Sequence, residues 1–275
     1  MLQHDVRRRH DTRAGRAVTA TLAAMSRTTP WQLVDELPLR FDAHHPQGMA
    51  RVGSVWWIST VDIDARRGYV LAVDGDGQLV DRVLVGDSDK HHPGGMDFDG
   101  DAFWIAAAEY RPDSSATIFR MEPGHQPERV FDVDDHVGAI ARCGRDGDLV
   151  GWSWGSRRFY RWSLDGTLVA ARENPSFFVD HQDCQWLGEG RLLCSGVAEV
   201  GLASGAGWLG GIGLLDLAGL TMEREVPFPI YSPDTGRVAT HNPVWVEATS
   251  DELLIHVMPD DARGVLRSYS TPLAD

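Results

Sequence analysis

The chain repeats one pattern five times, and this repeat limits its possible folds more than any other feature. The units begin near residues 43, 90, 134, 179 and 239, and the second reads KHHPGGMDFDGDAFWIA. Aligned, they share one histidine position, at intervals of 47, 44, 45 and 60 residues: His45, His92, His136, His181 and His241. A period of about 40 to 50 residues is typical of architectures in which each unit is one supersecondary structure.

Each unit contains four short runs of alternating apolar and polar residues, the pattern of half-buried β-strands. In the first unit, GYVLAVDGDGQLVDRVLV places an Asp-Gly pair between two runs, which predicts a hairpin. Four antiparallel strands in each unit are typical of the blades of a β-propeller. The sequence therefore predicts an all-β fold, a five-bladed β-propeller of four-stranded antiparallel blades.

The two ends of the chain complement each other. The fifth unit has room for only three strands, whereas LVDELPLRFDAHHPQGM, from Leu33, matches LVDRVLVGDSDKHHPGGM, from Leu79. We expect an N-terminal strand to complete the last blade and close the ring, which would remove an open sheet edge. Residues 29–275 are predicted to form this single domain. Residues 1–28 are predicted to be an extension, poorly structured or helical, that the domain tolerates losing.

The composition limits which binding partners and which cellular compartment are expected for this protein. The 40 acidic residues exceed the 26 basic ones, for a net charge of −14, which disfavours nucleic acids and anionic membranes. The three cysteines, Cys143, Cys184 and Cys194, are too few and odd in number for a disulfide framework. A cytoplasmic protein with a small-molecule substrate is expected, with secretion through a cryptic N-terminal signal as the alternative. The sequence does not determine the oligomeric state.

The repeated histidine lies where each unit enters its innermost strand, so five imidazoles would meet at one rim of the propeller. Two interpretations stay open. In the structural one, each imidazole bonds within its own blade, for instance to a serine on the second strand such as Ser59, Ser153 or Ser195. Ala106 and His256 occupy that serine position in the other two units, so this partner is not kept.

In the functional interpretation, the five histidines are candidate ligands of a divalent transition metal such as Fe, Zn, Mn or Cu. The second strands end at Asp62, Glu109 and Glu199, where carboxylates could orient the imidazole rings. At most three or four histidines fit around one ion, which leaves an open coordination position. The predicted function is a metal-dependent enzyme, with Glu109 and Glu199 as candidate catalytic acids. Its metal would act as a Lewis acid or activate water or O2 on a small organic substrate, as in hydrolases, lyases or oxygenases. The alternative is a non-catalytic propeller that binds a ligand or a protein.

Two insertions interrupt the repeat on the face that carries the histidines. They are residues 199–215, between the second and third strands of the fourth unit, and residues 226–240, before the fifth unit. We expect them to form a lid in which Trp208 and Tyr231 contact the substrate.

The repeated HHPGGMDFDGDAFWIA pattern looks like that of a bacterial propeller family of uncharacterised activity. The architecture resembles, distantly, the propellers of senescence-marker-type lactonases, strictosidine-synthase-like proteins and carotenoid oxygenases. The resemblance to carotenoid oxygenases implies that the five histidines hold a metal, with Glu109 and Glu199 behind them. The lactonase site, which uses Glu, Asn and Asp around calcium, does not carry over to this histidine-rich rim.

Overall fold

The computed structural model describes residues 13–274, except residues 145, 146, 177 and 204. Within these residues it contains one α-helix, one short 3₁₀ turn and twenty β-strands. The all-β prediction is therefore confirmed.

The strands group into five antiparallel sets of four. Three sets are separate sheets, whereas sets 2 and 3 join into one eight-stranded sheet because their first strands pair in parallel, with Ala139 opposite Gly95 and Ile140 opposite Met96. Set 1 contains β2 (His45–Val52), β3 (Val55–Asp62), β4 (Arg67–Val73) and β5 (Leu79–Val85). Set 2 contains β6 (His92–Phe98), β7 (Phe103–Ala108), β8 (Ala116–Met121) and β9 (Glu128–Val133). Set 3 contains β10 (Val137–Arg142), β11 (Leu149–Ser153), β12 (Arg158–Trp162) and β13 (Leu168–Glu173), with the 3₁₀ turn Trp154–Ser156 after β11. Set 4 contains β14 (Asp180–Gly188), β15 (Arg191–Leu202), β16 (Gly205–Asp216) and β17 (Thr221–Phe228).

Set 5 joins the two ends of the chain. It contains β18 (Val244–Ala248), β19 (Glu252–Val257), β20 (Val265–Pro272) and, at its edge, β1 (Gln32–Pro38). β1 runs antiparallel to β20, from Gln32 opposite Ser270 to Pro38 opposite Val265. The first strand of the chain is therefore paired with the last.

The helix α1 (Arg13–Ala24) packs against β14 and β18, the first strands of sets 4 and 5. Val18 and Leu22, with Met25 just beyond the helix, are buried in a cluster that also contains Leu214 and Ile255. The described part of residues 1–28 is thus a helix that shares the core, and residues 1–12 lie outside the described residues. Because its removal would expose this apolar cluster, we now expect deletion of residues 1–28 to destabilise the domain.

The first strands of the five sets contact one another around a common centre. Their backbones come close because glycines line the approach: a Cβ on Gly94 would lie 2.0 Å from the carbonyl oxygen of Gly138. A Cβ on Gly48 would likewise lie 2.5 Å from the amide nitrogen of Met96. Side chains other than glycine would force these strands apart.

Polar side chains fill the centre, and we call Asp97, Asp183 and Gln185 the axial cluster. Oδ1 of Asp183 accepts hydrogen bonds from two backbone N–H groups, those of Met96 (3.2 Å) and Cys184 (2.9 Å). Its Oδ2 accepts two more, from Met49 (3.1 Å) and Val244 (3.3 Å), so that one carboxylate links the inner strands of four sets. In the same cluster, Asp97 accepts from the N–H groups of Phe98 and Trp186. The amide of Gln185 bonds both backbone groups of Val246.

The repeated histidines stand at the start of the first strands. Loops between second and third strands, and connections between sets, lie at this same end because the strands alternate in direction. In the described part of the chain, no helix is long and apolar enough to cross a membrane.

Candidate functional site

A cavity of about 130 Å³ opens at the end where the inner strands begin. Its walls include His45, His92, His136, Tyr110, Trp154 and Asp180. The histidines come from the first strands or the residue before them, whereas Tyr110 and Trp154 come from loops after the second strands of sets 2 and 3. Four of the five repeated histidines border this cavity, since His181 also reaches its wall.

His45 forms a dyad with Asp261. Its Nδ1 lies 2.8 Å from Oδ1 of Asp261, a residue of the loop between β19 and β20. Burial alone would raise the pKa of the Asp261 carboxyl, but hydrogen bonds from His45 and Arg237 outweigh it and hold that pKa well below its usual range. Asp261 is therefore an ionised acceptor that also contacts Asn242 (3.2 Å). It holds the proton of His45 on Nδ1 and leaves Nε2 with a lone pair.

His92 is buried and neutral. Desolvation, followed by the electrostatic influence of His136 and His45, lowers the pKa of His92 well below its ordinary value. Its Nε2 lies 3.1 Å from Oε1 of Gln47, and Tyr110 stacks on the ring with centroids 4.3 Å apart. The Nδ1 atom is buried, and no group in the described residues bonds to it.

His136 is held by the backbone of a neighbouring loop. Its Nδ1 lies 3.0 Å from the carbonyl oxygen of Glu109 and 3.2 Å from that of Arg111. Burial lowers the pKa of His136 to about 4, so the ring is neutral at pH 7. Trp154 meets the ring edge-on at 4.8 Å, and His92 lies 5.5 Å away.

His181 occupies the equivalent position of set 4 and also borders the cavity, but its ring packs toward β17 of its own set. The imidazole is completely buried, with Nε2 3.4 Å from Oε1 of Glu225 on β17. It packs beside Trp152, and a Cβ on Gly213 would lie 3.0 Å from its Cε1. The ring therefore packs among the strands of its own set and its neighbour, and neither of its nitrogens has a hydrogen-bond partner in the described residues.

His241 lies beside the cavity rather than in its wall, next to the predicted lid. Trp208, on the long hairpin of β15 and β16, meets its ring edge-on at 6.1 Å. The hydroxyl of Tyr231 donates to the backbone oxygen of Trp208 (3.2 Å), which joins the two insertions. Both aromatic side chains are nearly half exposed at the histidine end of the molecule. Neither lines the cavity around His92.

The predicted carboxylates take other partners. The side chain of Glu109 pairs with Arg111 and Ser115, and only its backbone oxygen reaches an imidazole. Glu199 is exposed on β15, opposite Trp208 in the hairpin register. Asp62 caps the turn at Ala65 and lies 3.8 Å from His44.

The serines of the structural interpretation do not serve the histidines either. The hydroxyl of Ser59 donates to the backbone oxygen of Gly94 (2.7 Å), and that of Ser153 accepts from the N–H of Arg158 (3.1 Å). The Ser195 hydroxyl is buried, with no partner among the described residues. Each cavity histidine instead has a different kind of partner: a carboxylate, an amide or backbone carbonyls.

The described side chains do not converge on one metal position. Among residues 13–274, outside the four undescribed positions, no three His, Cys, Asp or Glu side chains are placed to hold a single ion. The rings of His92 and His136 lie 5.5 Å apart, and His45 lines the same cavity.

Residues 14–271 match the sequence profile of DUF6454, described as a family of unknown function. The chain belongs to this family. No curated protein matches the sequence. The DUF6454 fold resembles that of the tail fibre of a Staphylococcus aureus phage, with a TM-score of 0.58 and 8% identity over 94% of this chain and 56% of that one.

The chain also resembles the crystal structure of the RRP9 WD40 repeats, with a TM-score of 0.50 and 12% identity. That alignment covers 89% of this chain and all (100%) of the other. WD40 repeats are β-propeller blades. The comparison thus supports a β-propeller fold for this DUF6454 chain. At such low sequence identity it gives no information about function.

Sequence reasoning missed five residues of the site: Gln47, Tyr110, Trp154, Asp180 and Asp261. Three of them lie in loops between second and third strands, at the end that carries the histidines. The repeat predicts the position of these loops, but they are short and carry no insertion or repeated motif that would single out their residues. Asp180 directly precedes His181, and burial raises the pKa of its carboxyl.

Proposed function

We propose that this DUF6454 protein is an enzyme that acts on a small organic molecule in the cavity by acid–base chemistry. The observation that carries the proposal is the dyad, in which Nδ1 of His45 lies 2.8 Å from the carboxylate of Asp261. With its proton held on Nδ1, His45 presents the lone pair of Nε2 as a general base. The negative charge of Asp261 then stabilises the imidazolium that forms when Nε2 takes a proton.

Asp180 is the candidate general acid. Burial raises the pKa of its carboxyl, which keeps the protonated form present at higher pH than for an exposed aspartate. The Ser156 hydroxyl donates to Oδ1 of Asp180 over a long 3.4 Å. Gln182 and His181 are the other side chains that act on this carboxyl group.

Site-directed variants test this proposal against a panel of small esters, lactones, hydroxy acids and polyols, with product formation followed by NMR. We expect at least one compound to be turned over, and Asp261→Asn to lower kcat by about a hundredfold or more because the tautomer of His45 is no longer fixed. Asp42→Asn, an exposed aspartate at the same end, is the matched control. If compounds bind but none reacts, the non-catalytic binding alternative replaces the enzyme.

A metal-dependent enzyme is the second candidate. Three imidazoles each have one nitrogen engaged: His45 by Asp261, His92 by Gln47 and His136 by carbonyl groups. Outer partners of this kind orient histidine ligands in metal sites. Because the rings do not converge, an ion would require their rearrangement. Metal analysis of tag-free protein tests this candidate: one equivalent of Fe, Zn, Mn or Cu, lost in His92→Ala, would replace the metal-free mechanism.

We also propose that the five strand sets are the blades of one closed ring, with β1 as the outer strand of the last blade. The pairing of β1 with β20 supports this closure. Deletion of residues 1–42 should therefore unfold the domain, whereas deletion of residues 1–28 should only weaken it; equal melting temperatures would contradict closure.

Three free, buried cysteines support a cytoplasmic location. The distant likeness to lactonase, strictosidine-synthase-like and carotenoid-oxygenase propellers stays a prediction.

A further inference from the structure

The hydrogen bonds around His92 determine which of its nitrogens is an acceptor. The amide nitrogen of Gln47 donates to the backbone oxygen of Pro46 (3.0 Å), so the amide oxygen faces His92. An oxygen can only accept, and Nε2 of His92 must therefore carry the proton. Nδ1 is then a lone pair, buried and without a partner among the described residues. A buried acceptor in a cavity wall, left without a donor, points to a ligand that supplies one.

His136 is fixed in the opposite tautomer with the same consequence. Two carbonyl oxygens, of Glu109 and Arg111, face its Nδ1, so that nitrogen carries the proton. The lone pair is on Nε2, and no group in the described part of the chain bonds to it. His45 repeats this arrangement, because Asp261 accepts its Nδ1 proton. Three imidazoles thus present lone pairs, and the carboxyl group of Asp180, the candidate general acid, lies in the same wall.

The positions of these acceptors determine which classes of ligand could bind to them. A metal ion or a single ammonium group needs lone pairs that converge, and no three such side chains converge in the described structure. Donors on different carbon atoms of one skeleton match spread acceptors better. The aromatic rings of Tyr110 and Trp154, partly exposed and 5.9 Å apart, offer apolar surface to the C–H groups of such a skeleton.

We propose that the ligand is an uncharged polyhydroxylated ring, a sugar or cyclitol, whose hydroxyl groups donate to His92 Nδ1, His136 Nε2 and His45 Nε2. One face of the ring packs on Tyr110 and Trp154. This inference rests on the proposed use of the cavity as a substrate site and names the class of substrate. It also accounts for the neutral state of His92 and His136, because a protonated imidazole could not accept.

The tautomers are tested first, by ¹⁵N NMR of the histidine side chains in the intact protein. We expect the proton on Nε2 of His92 and on Nδ1 of both His136 and His45. Gln47→Met is the matched variant, because it removes the acceptor that holds the His92 proton and leaves the other two histidines unchanged. A proton on Nδ1 of His92 in the unaltered protein would overturn the inference.

Binding is tested by calorimetry with myo-inositol and D-glucose as polyol probes, and cyclohexanol and cyclohexylamine as controls. We expect at least one polyol to bind about tenfold more tightly than either control, and His92→Phe to weaken it about tenfold by loss of one hydrogen bond. His92→Phe keeps a ring against Tyr110, and circular dichroism checks its fold. Tighter binding of cyclohexylamine, or no binding of either polyol at millimolar concentrations, overturns the polyol class.

The two proposals fail in different ways. If the polyols do not bind but Asp261→Asn still abolishes turnover of another compound, the substrate class is wrong and the acid–base enzyme stands. If polyols bind through His92 and Asp261→Asn has no effect on any reaction, the site is a polyol-binding site without the proposed chemistry.

Discussion

The axial cluster and the cavity lie along the same inner strands, and both contain buried polar side chains, but they differ in hydrogen bonding. In the axial cluster, the Asp183 carboxylate accepts four backbone N–H groups. In the cavity, the buried Nδ1 of His92 has no donor among the described residues. A satisfied buried group holds a fold together, whereas an unsatisfied one costs stability and is retained where a ligand will pair with it. We therefore assign Asp183 to the fold and His92, whose ring borders the cavity, to the candidate site.

The largest expected effect is that of Asp183→Ala. Four buried N–H groups would lose their acceptor at once, and at about 1 kcal/mol or more for each group the free energy of unfolding should fall by about 4 kcal/mol or more. Urea denaturation followed by fluorescence measures the loss. Asp183→Asn is the graded control, since it keeps one oxygen, and should lose less. If Asp183→Ala unfolds at the same urea concentration as the unaltered protein, the axial cluster is not structural.

The next effect is a pH dependence from Asp97. Burial, only partly offset by the N–H groups of Trp186 and Phe98, raises the pKa of Asp97 to about 8. The folded carboxyl then keeps its proton up to this pH, whereas the unfolded one loses it near its ordinary value of 3.8. Stability should therefore fall as the pH rises from 5 to 8, with a slope of up to about 1.4 kcal/mol for each pH unit. Burial also raises the pKa of Asp183, which adds to the slope, so Asp97→Asn should reduce the slope without removing it. An unchanged slope would mean that the two N–H groups keep Asp97 ionised.

The sequence predicts the strands and the general position of the site, but not the orientations of the side chains in it. The repeat predicted the strands, because alternation of apolar residues is a local signal that burial enforces. It also placed His45, His92 and His136 in one region, because equivalent positions of a repeat meet at one end of a propeller. The directions of the rings were not predictable, since they depend on contacts far apart in the chain. Asp261, the partner of His45, lies 216 residues away.

His181 shows the limit of the repeat most clearly. It aligns with His92, yet Gly213 leaves room beside it and Glu225 faces it, so the ring turns into the strands. Residues on β16 and β17, not the repeated motif, decide this orientation. Glu109 gives the same lesson, because Arg111, two residues along, takes the carboxylate that was expected to face an imidazole.

The variant His181→Ala tests whether this repeated histidine contributes to stability, in contrast to His92, which we expect to contribute to ligand binding. It would leave a cavity beside Trp152 and a buried Glu225 oxygen without its neighbour, so we expect a loss of about 2 kcal/mol in unfolding free energy. Binding of a cavity ligand should change little, because the ring packs against Trp152 and Glu225. The paired variant, His92→Phe, should give the reverse pattern. Weaker binding in His181→Ala than in His92→Phe would show that the ring of His181 also serves the ligand.

The smallest expected effect on stability is that of His45→Gln. The His45 side chain is 18% exposed, and the Asp261 carboxylate keeps Arg237 (2.7 Å) and Asn242 (3.2 Å) as partners when the imidazole is lost. No charge is left unpaired, so the unfolding free energy should change by less than about 1 kcal/mol. The same variant should nevertheless abolish turnover, because glutamine has no basic nitrogen to take a proton. A large loss of stability, equal to that of Asp183→Ala, would mean that the dyad belongs with the structural polar groups and that the cavity lacks its base.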